Sequence, residues 1–159
     1  MNIDFTNILK GRVVVLGVGN PLKGDDGFGP ALIERLDGKT EAVCIDAGST
    51  PENYGGKIVK IKPDTIIIAD AVHLGRRAGE CEVLRKDDIA RTGLSTHDLS
   101  LDMFIGYLEE GTGADIYMIG VQPLDVSFGS DMSESVRDAL EETASAMIRS
   151  LKGKGEKNA

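Results

Sequence analysis

Short β-branched runs, each closing on a glycine or an acidic residue, recur along the chain and set its architecture. Residues 12–18 (RVVVLGV) are apolar almost without break, and residues 42–45, 65–70 (TIIIAD) and 114–121 (ADIYMIGV) repeat the pattern. Runs of this length without helical periodicity predict strands buried on both faces, as in parallel sheets. Residues 80–85 (ECEVLR) alternate and predict an edge strand. Between these runs the period changes. Residues 27–36 place Phe28, Leu32 and Leu36 on one helical face, and residues 98–108 do the same with Leu101, Ile105 and Leu108. Residues 132–151 carry Val136, Leu140, Ala144, Met147 and Ile148 at helical intervals behind Ser133, which stands at the cap position. Strands alternating with helices predict an α/β fold: a three-layer α/β/α sandwich around a mostly parallel, twisted sheet of about five strands with right-handed crossovers. Ligands of such folds sit beyond the carboxyl ends of the strands.

Composition narrows the class. The chain has 159 residues, 41% hydrophobic and 28% charged, the proportions of an ordinary globular protein whose core needs no metal or disulfide. One domain is expected over residues 1–152, with a flexible tail over 153–159 where glycine and lysine replace apolar residues. A balance of 18 basic against 26 acidic residues, net charge -8, disfavours polyanions and excludes nucleic acid as a partner. No apolar stretch approaches the roughly 20 residues of a membrane span. The N-terminus carries Asp4 and lacks the apolar core of a signal peptide, so a cytoplasmic location is expected. Cys44 and Cys81 belong to no CxxC pair and read as buried reduced thiols.

The glycine-rich segment after the first strand, GVGNPLKGDDGFGP at 17–30, invites a phosphate-cradle reading. Its spacing argues otherwise: Leu22 stands where a dinucleotide fingerprint needs glycine, and Asp25 and Asp26 stand where a P-loop needs lysine and a hydroxyl. Two carboxylates at a helix start repel a pyrophosphate and suit a cation, although either alone reads equally as a cap or first-turn acid. Asp46 closes the second strand in CIDAGST and Asp70 the third in IIIADAV, so both are expected near the sheet edge that carries the first loop. The two histidines are His73, just after Asp70, and His97 in LSTHDLSL. Two aspartates and one histidine in a single crevice would make a three-ligand site with an open position, suited to a borderline divalent ion such as nickel or zinc.

Taken together, GVGNPLKGDDGFGP, IDAGSTPEN (45–53), IIIADAV (66–72), STHDLSL (95–101) and IGVQP (119–123) resemble, in order, the endopeptidases that mature nickel-iron hydrogenases by trimming the large-subunit precursor. The stretch 49–53 is most similar to the branch serving hydrogenase-3 or formate-hydrogenlyase type enzymes. The resemblance implies nickel ligation by Asp26, Asp70 and His97, and leaves His73 outside the matched motif. It also implies substrate contacts from Asp46 and Gly48, in a segment that here reads Asp-Ala-Gly where relatives often have Asp-Gly-Gly. The implied partner is the nickel-iron hydrogenase large-subunit precursor, whose own nickel signals readiness for cleavage, so the free enzyme need not carry metal. Nickel held by the triad would polarise the scissile carbonyl or activate water, with Asp46 as a candidate general base; the opposing scheme makes nickel a recognition handle and gives the chemistry to the carboxylates. A non-catalytic nickel-binding accessory protein is the rival class, disfavoured by a count of 2 histidines. A nucleotide-binding regulatory domain is disfavoured by Asp25 and Asp26.

Overall fold

The computed structural model describes residues 3–91 and 101–158, with backbone only for 90, 91 and 152–158. Five strands, β1 (Val13–Val18), β2 (Val43–Gly48), β3 (Thr65–Ala71), β4 (Cys81–Arg85) and β5 (Asp115–Val121), form one sheet in the order β2-β1-β3-β5-β4. All neighbours are parallel except β4, which runs antiparallel to β5 at the edge. The edge strand expected at 80–85 is therefore present, and the mostly parallel α/β architecture is as the hydrophobic pattern predicts.

Helices cover both faces. Helix α1 (Phe28–Leu36) follows a 3-10 turn (Gly24–Gly27), and α5 (Glu134–Asn158) packs beside it. Phe28, Leu32, Val136, Leu140 and Met147 enclose Val13, Val15, Ile67 and Ile119 on this face. Helix α2 (Gly55–Ile61), the short α3 (Lys86–Arg91) and α4 (Leu101–Thr112) lie on the other. There Ile58, Ile89, Phe104, Ile105 and Leu108 enclose Val14, Leu16, Ile66, Ile68 and Met118. Alternate residues of β1 and β3 thus feed two separate cores, which is why their sequences are apolar throughout rather than alternating.

Connection lengths and local contacts position the site. From β1 the chain crosses by α1 to β2 on one side, then returns past β1 by α2 to β3 on the other. The connections leaving β1 and β3 diverge, one toward β2 and the other toward β4, opening a crevice at their carboxyl ends. Helix α1 begins hard against this edge: a Cβ on Gly29 would lie 2.3 Å from the Val18 carbonyl oxygen and 2.6 Å from that of Ala69. Only glycine lets the helix start so close.

Two boundaries differ from the sequence reading. Strand β2 continues past residue 45 to Gly48, so Asp46 sits inside an edge strand. Helix α5 continues at the backbone level to Asn158, through the stretch whose composition suggests a tail; Lys and Glu there are good helix formers that extend an already packed helix.

Candidate functional site

Asp70 is the penultimate residue of β3 and is 1% exposed. One carboxylate oxygen accepts the Ala71 amide at 2.8 Å, and no other hydrogen bond or cation meets it among the described residues. Burial, then the negative charge of Asp26, push its pKa well above the ordinary carboxylate range, against the smaller pull of the Ala71 amide. No positive charge among the described residues compensates this buried carboxylate.

Asp26 lies in the 3-10 turn that follows β1, partly exposed, and its Oδ2 accepts the Asn20 amide at 2.8 Å. Gly19 separates the two acids. Its φ of +140° belongs to glycine, and a Cβ there would lie 1.9 Å from the Asp26 carbonyl oxygen and 3.6 Å from Asp70 Oδ1. The first loop therefore folds back over the end of β1 and brings Asp26 beside Asp70, as the acids at strand ends predict.

Asp25, its neighbour, has a different task. It is fully buried, and its carboxylate accepts the amides of Leu124 (2.8 Å), Asp125 (3.1 Å) and Ser133 (2.7 Å) and the Ser133 hydroxyl (2.9 Å). The Asp25 amide in turn donates to the Asp125 carbonyl at 2.9 Å. Asp25 does not cap α1, whose N-terminus has no side-chain cap. Instead it fastens the first loop to the loop before α5 and places its charge at that helix's N-terminus. Ser133 stands at the cap position expected of it, but its hydroxyl is turned to Asp25.

Asp46 leaves the sheet in the other direction. Gly17 is level with Asp46 on β2 and with Ala69 on β3, so these residues share a face, and Asp70, one residue on, points oppositely. Asp46 is exposed and accepts the Gly48 amide at 3.0 Å. It lines a groove of about 420 Å³ with Pro21, Ile33, Asp37, Asp131 and Met132. Gly48 has φ +56° and open space where a Cβ would project, and its carbonyl accepts the Gly19 amide at 2.8 Å. The first loop is thus a wall shared by two features, the Asp26–Asp70 pair on one side and the Asp46 groove on the other.

His97 lies outside the described residues; α4 begins at Leu101 and packs on the face that Asp70 shares. His73 is exposed, with Nδ1 3.4 Å from Gln122 Nε2. Gln122 is a residue the sequence reading left without a role. Largely buried at the end of β5, it accepts the amides of Leu74 (2.6 Å) and Arg76 (3.3 Å) and donates to the Pro123 carbonyl (3.3 Å), fixing the loop after β3. The only available signal was its place in IGVQP, at the carboxyl end of a strand. No group of three or more His, Cys, Asp or Glu side chains able to hold a metal occurs among the described residues. The thiols of Cys44 and Cys81 are partly buried and unpaired, and burial raises the pKa of both, Cys81 to about 11.

A doubly covered α/β sheet with paired carboxylates at its topological switch defines a small α/β domain with an acidic crevice. Comparison with known proteins makes the class specific. The family profile HycI, hydrogenase maturation protease, matches residues 30–150. The chain is 38% identical over 131 residues to the hydrogenase 3 maturation protease of Escherichia coli (strain K12), covering 80% of this chain and 83% of that one. It superposes on the crystal structure of a NiFe hydrogenase maturation protease HycI from Thermococcus kodakarensis KOD1 with a TM-score of 0.86 and 34% identity, over 93% of this chain and 98% of that one. The solution structure of an endopeptidase HycI from Escherichia coli gives a TM-score of 0.75 at 36% identity, over 85% and 88% of the two chains. The protein belongs to the hydrogenase maturation protease family, and its role is that of a protease in hydrogenase processing.

Proposed function

We propose that this protein removes the C-terminal extension of a nickel-iron hydrogenase large-subunit precursor once nickel has been inserted, reading the precursor's own nickel as the signal to cut. The observation that carries this reading is the state of Asp70: buried, beside Asp26, at the switch point of the sheet, with an oxygen that no described donor meets. Such a pair asks for a cation delivered from outside. Two carboxylates and an imidazole suit a borderline divalent ion, and the crevice is open to a metal that arrives with ligands of its own. Asp26, Asp70 and His97 are the proposed nickel contacts; the entry of α4 on the Asp70 face is consistent with His97 joining them.

In this scheme Asp70 needs no adjustment on binding, because its oxygen is already oriented by the Ala71 amide, and Asp26 is held by the Asn20 amide. Nickel held by Asp26, Asp70 and His97 would supply polarisation of the scissile carbonyl or a lowered pKa for an attacking water. Asp46 and Gly48 are proposed as substrate contacts along the groove beside α1; the opposite orientations of Asp46 and Asp70 favour that role for Asp46 over general base at the metal.

The test is intact mass spectrometry of a nickel-loaded precursor from the same organism, incubated with the wild type and with Asp26→Asn, Asp70→Asn and His97→Ala. Loss of the C-terminal peptide with wild type, abolished by each variant and by omitting nickel, is expected. Cleavage of nickel-free precursor would remove the metal from the reading; no cleavage of a precursor shown to be loaded would favour a non-catalytic nickel-binding role.

A further inference from the structure

Six large apolar side chains are exposed among the described residues, and four of them, Leu22, Leu124, Val126 and Phe128, lie on two loops that are bonded to each other. Leu22 is 61%, Leu124 69% and Phe128 76% exposed. Isolated exposed apolar residues are ordinary; a set gathered on one surface marks a place where another molecule sits.

The loops are not loose. The Leu22 carbonyl accepts the Gly129 amide at 2.8 Å, and Asp25 holds the amides of Leu124 and Asp125 from beneath. Within the second loop Asp125 accepts the Ser127 amide (2.8 Å), the Ser127 hydroxyl and the Ser130 hydroxyl (3.1 Å). Buried and surface polar groups together therefore build a frame that presents Leu22, Leu124 and Phe128 outward. Presenting them in one fixed arrangement lowers the entropy lost when a partner covers them.

We infer that this apolar rim is the docking surface for the folded body of the protein whose chain is cut, which presents an apolar face beside its scissile segment. The inference rests on the function proposed above and adds to it where the substrate binds outside the crevice. Continuity identifies the occupant: Asp26 belongs to the same loop as Leu22, so anything seated on the rim delivers its neighbouring chain to Asp26 and Asp70. Affinity drawn from the rim does not depend on the reacting bond, so the rim governs KM and leaves the chemical step to the carboxylates.

The experiment compares the wild type with a Leu124→Ser, Phe128→Ser double variant, using the nickel-loaded large-subunit precursor as probe. Binding is read by biolayer interferometry and processing by intact mass, with melting temperature as the fold control, expected within about 2 °C of wild type for surface changes. The double variant is expected to bind at least about tenfold more weakly, with KM raised to match and kcat at saturation within about twofold. Unchanged binding by the variant, or no binding by the wild type, overturns the inference. So does a concentration-dependent dimer that the same substitutions abolish, since the occupant would then be a second copy. Wild type that binds through the rim but never cuts leaves the docking surface standing and removes the protease reading. Wild type that cuts, with a variant of equal KM, does the reverse.

Discussion

Replacing Asp25 by alanine tests whether the first loop is held by one buried carboxylate. The substitution strips the acceptor from three backbone amides, Leu124, Asp125 and Ser133, and from the Ser133 hydroxyl. Hydrogen bonds to a charged group contribute about 1.5–3 kcal/mol each, but they do not sum, because the mutant also avoids the several kcal/mol of carboxylate desolvation. Removing one partner from a buried charged network costs about 3–5 kcal/mol, a large part of the ~5–15 kcal/mol that holds a domain folded. At about 2–4 °C per kcal/mol for a chain of this size, the melting temperature should fall by roughly 6–20 °C. Circular dichroism melts and urea titration read the loss, and amide exchange should show lost protection at Leu124 and Ser133. Asp26→Asn is the matched control: it is partly exposed, receives one amide, and keeps an oxygen to accept it, so less than ~1 kcal/mol is expected. A loss below ~1 kcal/mol for Asp25→Ala would refute the reasoning, because water would then be satisfying these amides as well as the carboxylate does.

Other consequences follow from the same geometry. Asp70→Asn removes a buried charge that no described cation compensates, so the free protein should melt higher at neutral pH while precursor processing is lost; a lower melting temperature would show that the carboxylate is already compensated. Gly29→Ala should destabilise by more than ~2 kcal/mol, since its methyl would meet two backbone carbonyls that cannot move aside, and a neutral result in urea titration would mean that α1 shifts freely. Cys81, with its pKa raised from 9.0 to about 11 by burial, should react with a thiol reagent at pH 8 about a hundredfold more slowly than a free thiol. Because the unfolded thiol ionises first, its contribution to stability is complete below about pH 9 and is lost as pH rises toward 11; alkylation at the free-thiol rate would contradict the burial.

What could be read from the residues follows the range of the forces involved. The runs at 65–70 and 114–121 announced central strands because both their faces are buried, a property written in consecutive residues. Asp26 and Asp70 could be placed together because each follows directly from a strand end, and the topology does the rest. Asp46 looked like a third member of that group. Its orientation depends on register, which sets Asp46 level with Ala69 rather than Asp70, and one step of register turns a side chain to the opposite face. Asp25 read locally as a helix cap, while its partners lie some hundred positions away and no spacing rule reaches them. The same separation concealed the apolar rim, whose members are scattered along the sequence at 22, 124 and 128.

The fastening of Asp25 to Ser133 also sets an order on biosynthesis. Asp26 emerges early in translation, yet the loop that carries it stays open at one end until Leu124, 99 positions after Asp25, and Ser133, 108 positions after it, have been made and folded back. A nascent or prematurely terminated chain holds the acids without the frame that aims them. The frame that aims the proposed site is therefore complete only once the start of α5 is in place.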